Sequence, residues 1–436
     1  MNNNELQLLK EAIKGLKYYP NSDMPIGINE LKNLGLVYSN IQPNGITGFL
    51  PKAASSVSML ASIIHRQEKF YHRGAEFGSL RKELANIIIS LFGIEQDNIT
   101  INDLIYIKNK LSTWFTEKSV CRKHYIPCSI IPYNTDSFSV GPVRFVHVQQ
   151  FWAERPNQNS FFDFQYEEFI RALQERHGCW IAIVEITGAE AKRSSELADL
   201  SVDIALCGLH FVLPDDVSQR MARINGRTWP AWSCRLSSTS FDFNNSQPGL
   251  TILPDTFNQL ISLQQDVLDS VGRRINCFLD IKNPMSRLEQ SWCDAGYWFH
   301  EALAEPLDTI SIAKYETTIE ILLAAGSSKQ SGTRIRLAFL TLLGLEDDDV
   351  LIDGTSITVK SFSKTLVEAR SRVLHGTWST LLNEMSLNRQ DVATIAFLFL
   401  KAFTLYLDEF WNENSKTNDD TVEIFFNWIL SKRFSE

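Results

Sequence analysis

A chain of 436 residues holds two or three domains by the usual size range, and 44% hydrophobic with 21% charged residues describes an ordinary globular protein. The net charge of −9 excludes a protein that grips nucleic acid through a broad basic surface, so any such contact must rest on a local basic spot. Seven scattered cysteines exclude a disulfide framework and point to a reducing cytoplasm. The start, Met1-Asn2-Asn3-Asn4-Glu5, lacks the features of a secretory signal. No uninterrupted apolar run reaches the roughly 18 residues of a membrane helix. A cytoplasmic protein without membrane contact is expected.

In chain order, Asn4 to Lys17 predicts an amphipathic helix, with Leu6, Leu9, Ile13 and Leu16 on one face. Breaks are expected at Pro20–Pro25 and at Gly45–Pro51. Ala53 to Gly74 reads as one helix, ending in a run of cations and aromatics from His65 to Arg73. That run suits either an RNA contact or a plain exposed helix end. Ser79 to Leu91 and Thr100 to Thr116 predict two more helices. Residues 1–118 therefore read as a mainly helical segment.

Composition shifts near Cys121. β-Branched and aromatic runs broken by Pro and Gly follow, as in "HYIPCSIIPY" and "SFSVGPVRFVHVQQF". Phe164 to Arg176 and Ala189 to His210 predict helices. Cys179 to Thr187 is the strongest strand, a nearly continuous apolar run of the kind buried in a sheet. Trp229 to Leu253 returns to strand and turn, and Phe257 to Val271 predicts a connecting helix. Residues 119–285 thus form an α+β middle with no nucleotide-binding glycine pattern. Cys121, His124 and Cys128 offer three zinc ligands where a structural site wants four, so this stretch is read as strand.

From Ser286 to Glu436 the pattern is helical: Leu288–Ala304, Ile310–Ala325, Arg334–Leu345, Lys364–His375, Val392–Trp411 and Thr421–Lys432. An acidic loop, Glu346 to Gly354, interrupts it and reads as solvated rather than as a cation site. This part carries 14 basic against 22 acidic residues, a balance of −8. No cofactor or metal is expected anywhere in the chain.

The stretch that organises the chain is Val367 to Gly376. Leu366, Ala369 and Val373 make an apolar stripe, and Gly376 is a natural residue to follow a helix ending at His375. Arg370 and His375 form an Arg-x4-His pattern. A guanidinium that holds a phosphate and an imidazole that moves a proton suit phosphodiester chemistry. Looser matches at Arg66…His72 and Arg171…His177 show that the spacing alone is weak. Ideal helix geometry puts Arg370 and His375 about 140° apart, whereas Ser371 and Arg372 share the face of His375. Either the helix end is distorted or a facing subunit supplies the complementary groups. Glu320, in the apolar run "TTIEILLAA", is expected to be paired, since a lone buried charge is costly.

"ARSRVLHG" on a striped helix, preceded by "WFHEALAE", "TTIEILLAAGSS" and "RIRLAFLTLLGL", resembles the Apea-like branch of the HEPN family over the last third of the chain. The resemblance implies an all-α HEPN helical bundle in a multidomain α+β protein. It also implies a metal-independent endoribonuclease with Arg370 and His375 as catalytic residues, in a site shared across a homodimer formed by the C-terminal part. Ser371, Arg372 and Glu320 are the expected supporting residues, Glu320 orienting the arginine or the histidine. Similar proteins act as toxin-like effectors of bacterial antiphage defence. RNA is then the substrate, a phage-derived or regulatory trigger is the expected partner, and residues 1–285 sense or restrain. Two other readings are a non-catalytic HEPN dimerisation module and an RNA-binding protein without cleavage.

Overall fold

The structure is a computed structural model that describes residues 3–20, 35–93, 98–154, 163–176, 178–213, 221–224, 232–245, 249–352, 355–381, 386–414 and 420–433. His177, Trp229 and Asp353, all within stretches interpreted above, lie outside the described residues. The chain divides into two compact units, each discontinuous in sequence. The first holds Met1–Arg122, Ile186–Leu197 and Ile281–Pro284. The second holds Lys123–Glu185, Ala198–Asp280 and Met285–Glu436. The expected boundary after residue 118 falls close to the observed one at Arg122. Residues on both sides of the expected boundary at 285/286 belong to the second unit.

The first unit begins with α1 (Asn3–Lys14), amphipathic as its pattern requires, with Leu8, Leu9, Ala12 and Ile13 buried. Lys108 pins its Glu5 at 2.9 Å. A three-stranded antiparallel sheet follows, with β3 (Gly45–Phe49) between β1 (Leu16–Pro20) and β2 (Val37–Gln42). The segment is mainly helical, as expected, but the reading of residues 1–118 had no place for this sheet, and the break expected at Gly45–Pro51 is largely strand. The glycine there is not a turn residue. A Cβ on Gly45 would sit 2.3 Å from the Tyr19 carbonyl oxygen and 2.7 Å from the Tyr18 ring, so glycine permits close packing inside a fully buried strand.

The helix expected over Ala53–Gly74 is two, α2 (Pro51–Gln67) and α3 (Lys69–Gly74), because Glu68 adopts an extended backbone. α4 (Phe77–Phe92) is capped by the Glu76 carboxylate, which accepts from the Gly78 and Ser79 amides. α5 (Ile101–Lys118) starts with a Thr100–Asp103 capping box. Residues 186–197 bring Glu190, whose carboxylate accepts from the Glu76 amide, and Arg193, which donates to the Arg73 carbonyl.

The second unit contains a five-stranded sheet of order β5-β6-β7-β4-β8, built from β4 (Arg122–Ser129), β5 (Phe138–Val140), β6 (Val143–His147), β7 (Trp180–Ile186) and β8 (Ala222–Arg223). The apolar run expected as the strongest strand is β7, almost wholly buried. Trp180 is buried there and its Nε1 donates to the Ile131 carbonyl at 2.8 Å. α6 (Val148–Glu154) and α7 (Asp163–Glu175) pack on this sheet around Phe151. Next come α8 (Ala191–His210), of which the part from Ala198 on belongs to this unit, and a two-stranded ladder of β9 (Trp232–Leu236) with β10 (Phe241–Asn245).

The connecting helix expected at Phe257–Val271 is instead α9 (Pro254–Leu263) and α10 (Gln265–Leu279). α10 is a core element rather than a linker. Its Gly272 lies against Gly141 so closely that a Cβ on Gly272 would stand 2.5 Å from the Gly141 Cα. Its Arg274 pairs with Glu289 at 2.6 Å and with Asp408 at 2.7 Å. Both Arg274 and Glu289 are buried, where an unpaired charge would be strongly unfavourable.

The C-terminal third is helical throughout, with α11 (Arg287–Leu303), α12 (Asp308–Leu322), α13 (Ser328–Ala338) running into a π-helical turn (Phe339–Leu343), α14 (Val359–Leu374), α15 (Arg389–Asn414) and α16 (Val422–Arg433). Phe339 meets Phe399 at 4.9 Å and Phe403 meets Phe425 at 4.6 Å. Each fully buried phenylalanine contributes about 1.5–3 kcal/mol of transfer free energy. α15 is also long and apolar enough, by length and composition alone, to cross a membrane. Counting uninterrupted apolar residues misses it because Lys401 and Thr404 interrupt the run. Here Phe399, Leu400, Phe403, Leu407 and Phe410 are buried in the bundle.

Candidate functional site at the C-terminal end of α14

α14 starts at a capping box in which the Thr358 side chain accepts from the Ser361 amide. It buries Leu366, Ala369 and Val373, the three residues of the apolar stripe. The acidic loop precedes it. Asp347 pairs with Arg336 at 2.7 Å, and the Asp349 carboxylate accepts from the Glu346 amide at 2.7 Å. Those aspartates are thus engaged in local structure. Among the described residues no group of three or more His, Cys, Asp or Glu side chains is placed to hold a metal ion.

The helix ends as its residues dictate. His375 is the C-cap, with its amide bonded to the Ser371 carbonyl at 3.0 Å. Gly376 follows at φ +68°, a left-handed conformation that suits glycine. The Gly376 amide donates to the Val373 carbonyl at 3.1 Å and the Thr377 amide to the Arg372 carbonyl at 2.9 Å. Together these bonds form a Schellman motif, which satisfies carbonyls left over at the helix end. His375 is left exposed on a defined corner.

Arg370 points elsewhere. Its Nε lies 3.4 Å from Glu316 Oε2 and its Nη2 3.2 Å from Glu320 Oε2, both on α12. Glu316 is wholly buried, and its Oε1 accepts from the Ser331 hydroxyl at 3.3 Å. Burial, reinforced by the neighbouring Glu320 carboxylate, pushes the Glu316 carboxyl up to about 8, while the Arg370 guanidinium pulls the other way. The pairing expected of Glu320 is therefore with Arg370.

Among the described residues no hydrogen bond or ion pair joins Arg370 to His375, and α14 stays α-helical through Leu374. Distortion of the helix end does not bring the two together. Arg372 shares an ion pair with Glu368 and lies over the Trp378 ring, 4.9 Å from its centroid. Ser371 is half-buried and contributes its carbonyl to the cap. Glu316 was not among the expected site residues. Its signal was present in "YETTIE", where it precedes Glu320 by four residues and so shares its helix face.

The motif lies at a surface corner. Two clefts of about 390 Å³ on either side of α7 contain no residue of α14 in their walls. Apolar side chains are exposed on the segments near the motif: Leu374 beside His375 is 58% exposed, Leu381 81% and Leu307 40%. The loop after the motif is fastened to the start of α12 by a 2.7 Å hydrogen bond from the Thr309 hydroxyl to the Thr380 carbonyl. Comparisons with protein-family models, curated proteins and solved structures find no match for this chain.

Proposed function

We propose that the C-terminal part is a metal-independent endoribonuclease of HEPN type. The observation that carries this reading is that one helix ends in an exposed histidine and, five residues earlier, bears an arginine held by two carboxylates. In this reading the 2′-hydroxyl of the substrate attacks the adjacent phosphorus and the bond to the 5′-oxygen breaks. The product is a 2′,3′-cyclic phosphate. His375 removes the 2′-proton or protonates the leaving oxygen. Arg370 neutralises charge that builds on the phosphorane, the kind of electrostatic contribution that is often the largest. The exposed corner suits a polymer better than a small molecule enclosed in a cleft.

The same geometry favours a site shared between two copies. One chain supplies one histidine, and in-line transfer benefits from a base and an acid on opposite sides of the phosphate. A two-fold interface supplies the second from the same patch. Exposed Leu374, Leu381 and Leu307 give that patch an apolar component, which favours association of two acidic bundles. The biological role in this reading is a toxin-like effector of antiphage defence in the cytoplasm, triggered by a phage-derived or regulatory partner.

The non-catalytic dimerisation module is favoured by one observation, the commitment of Arg370 to two carboxylates. Purified protein incubated with total RNA in EDTA, beside His375→Ala, separates the two. Cleavage by the wild type and none by the variant is expected. Intact RNA in both would leave the dimerisation module.

A further inference from the structure

Glu316 and Glu320 lie four residues apart on α12, and the Arg370 guanidinium spans both carboxyls. If both were ionised, this trio would carry a net negative charge next to the group meant to receive a phosphate. Glu316 has no access to water, and its Oε2 makes no hydrogen bond. A buried carboxylate in that position is costly, and one proton removes the cost. The groups facing it are Glu320 on its own helix, Arg370 from α14 and the Ser331 hydroxyl from α13. From α11 and α15, which also pack on α12, no side chain forms an ion pair with Glu316 among the described residues. Of the Arg370 side chain, 28% stays exposed.

Resting on the RNA-cleaving reading above, we propose that Glu316 is a positioning residue that works in its protonated form. It orients Arg370 by contact while leaving Glu320 as the one carboxylate that offsets its charge. Protonated, the trio is neutral and Arg370 can accept a phosphodiester at its exposed edge. Deprotonated, Glu316 adds a second negative charge and the corner turns RNA away. The shift of its carboxyl to about 8 places this change just above neutral pH.

The test uses the full chain carrying His375→Ala, so that the RNA is bound but not cut. Binding of a fluorescein-labelled RNA oligonucleotide is followed by anisotropy from about pH 7 to about pH 9. Affinity should fall roughly fivefold, the size of one partly screened charge interaction. Adding Glu316→Gln should abolish the fall, because glutamine mimics the protonated carboxyl. Adding Glu320→Gln instead should move the fall to lower pH, because the like charge that holds the proton on Glu316 is gone. Affinity that is flat in the parent, or that falls equally with Glu316→Gln, overturns the proposal.

A second readout does not depend on RNA. A carboxyl whose pKa is raised by folding loses stability as pH rises from its unfolded value, about 4.5, towards 8. The Tm of the wild type minus that of Glu316→Gln should therefore fall over that window and level off above it. A difference independent of pH overturns the protonated state. If that signature is present and no RNA binds at any pH, the nuclease reading has failed, and the role proposed for Glu316 fails with it.

Discussion

With Arg370 removed, Glu316 and Glu320 would face each other without a cation between them. Arg370→Ala should therefore cost about 1–3 kcal/mol of stability as well as activity, the usual penalty for stranding a buried hydrogen-bonding group. Arg370→Lys should recover part of the stability and little of the cleavage, since an ammonium cannot contact both carboxyls and a phosphate as a planar fork does. His375→Ala should behave differently. The side chain is exposed, so a stability within about 0.5 kcal/mol of wild type is expected, alongside complete loss of RNA cleavage. Differential scanning fluorimetry beside a gel assay reads both, and wild-type cleavage by His375→Ala would remove the histidine from the chemistry. Arg370, His375 and Glu320 could be picked out from sequence because each departs from an apolar stripe or sits at its end. Glu316 was hidden because α12 is buried on nearly every side, leaving no polar face against which a functional carboxylate would stand out.

At the scale of elements, the end of α14 was readable because one glycine carries the information. Gly376→Ala meets no neighbour within 4 Å, so its cost comes only from the left-handed backbone, about 1–2 kcal/mol. The cap should fray, shift His375 and lower kcat more than it lowers Tm. Gly376→Asn should do less harm, because asparagine tolerates that backbone. Retained wild-type kcat in Gly376→Ala would mean that the cap does not position the histidine. Gly272→Ala is the opposite case, with an ordinary backbone but a Cβ 2.5 Å from the Gly141 Cα. It should destabilise by about 3 kcal/mol or more, because backbone rather than a movable side chain must give way. The sheet β1-β3-β2 was not legible for a related reason. Gly45 looks like a break when only local turn chemistry is considered, and its purpose appears only when Tyr18 and Tyr19 are seen packed on it.

Across the whole molecule, two sets of buried groups titrate in opposite senses. His210 and His300 are buried 5.7 Å apart, and neither His210 nitrogen has a hydrogen-bond partner. Burial, and then the other imidazole, hold His210 well below its usual range, and burial lowers His300 too. Bases held neutral contribute stability above about pH 6.5 that is lost as pH falls further, whereas Glu316 acts against stability as pH rises towards 8. A Tm maximum near neutral pH is expected, with an acid limb that is shallower in His210→Phe. An unchanged acid limb in that variant would assign it to other groups. Light scattering should find at least a dimer, and a monomer with full activity would refute the shared site. None of the three pH-sensitive groups could be identified from sequence, because burial by distant segments is what shifts them.

The first unit takes its last residues, Ile281–Pro284, from far along the chain. Arg73 donates to the Asn283 carbonyl, and the Arg122 guanidinium donates to the Ala189 carbonyl at 2.9 Å. A ribosome adding about 5–20 residues per second needs roughly 8–30 s to travel from Arg122 to Pro284. Until Glu190 is made the Gly74 carbonyl and the Glu76 amide lack their partner, and the Asn283 carbonyl that Arg73 reaches comes only at the end of the interval. The helices and sheet of this unit can form early, but its closure is a late event of synthesis. A truncated product released before residue 284 would display an unfinished surface to chaperones and proteases.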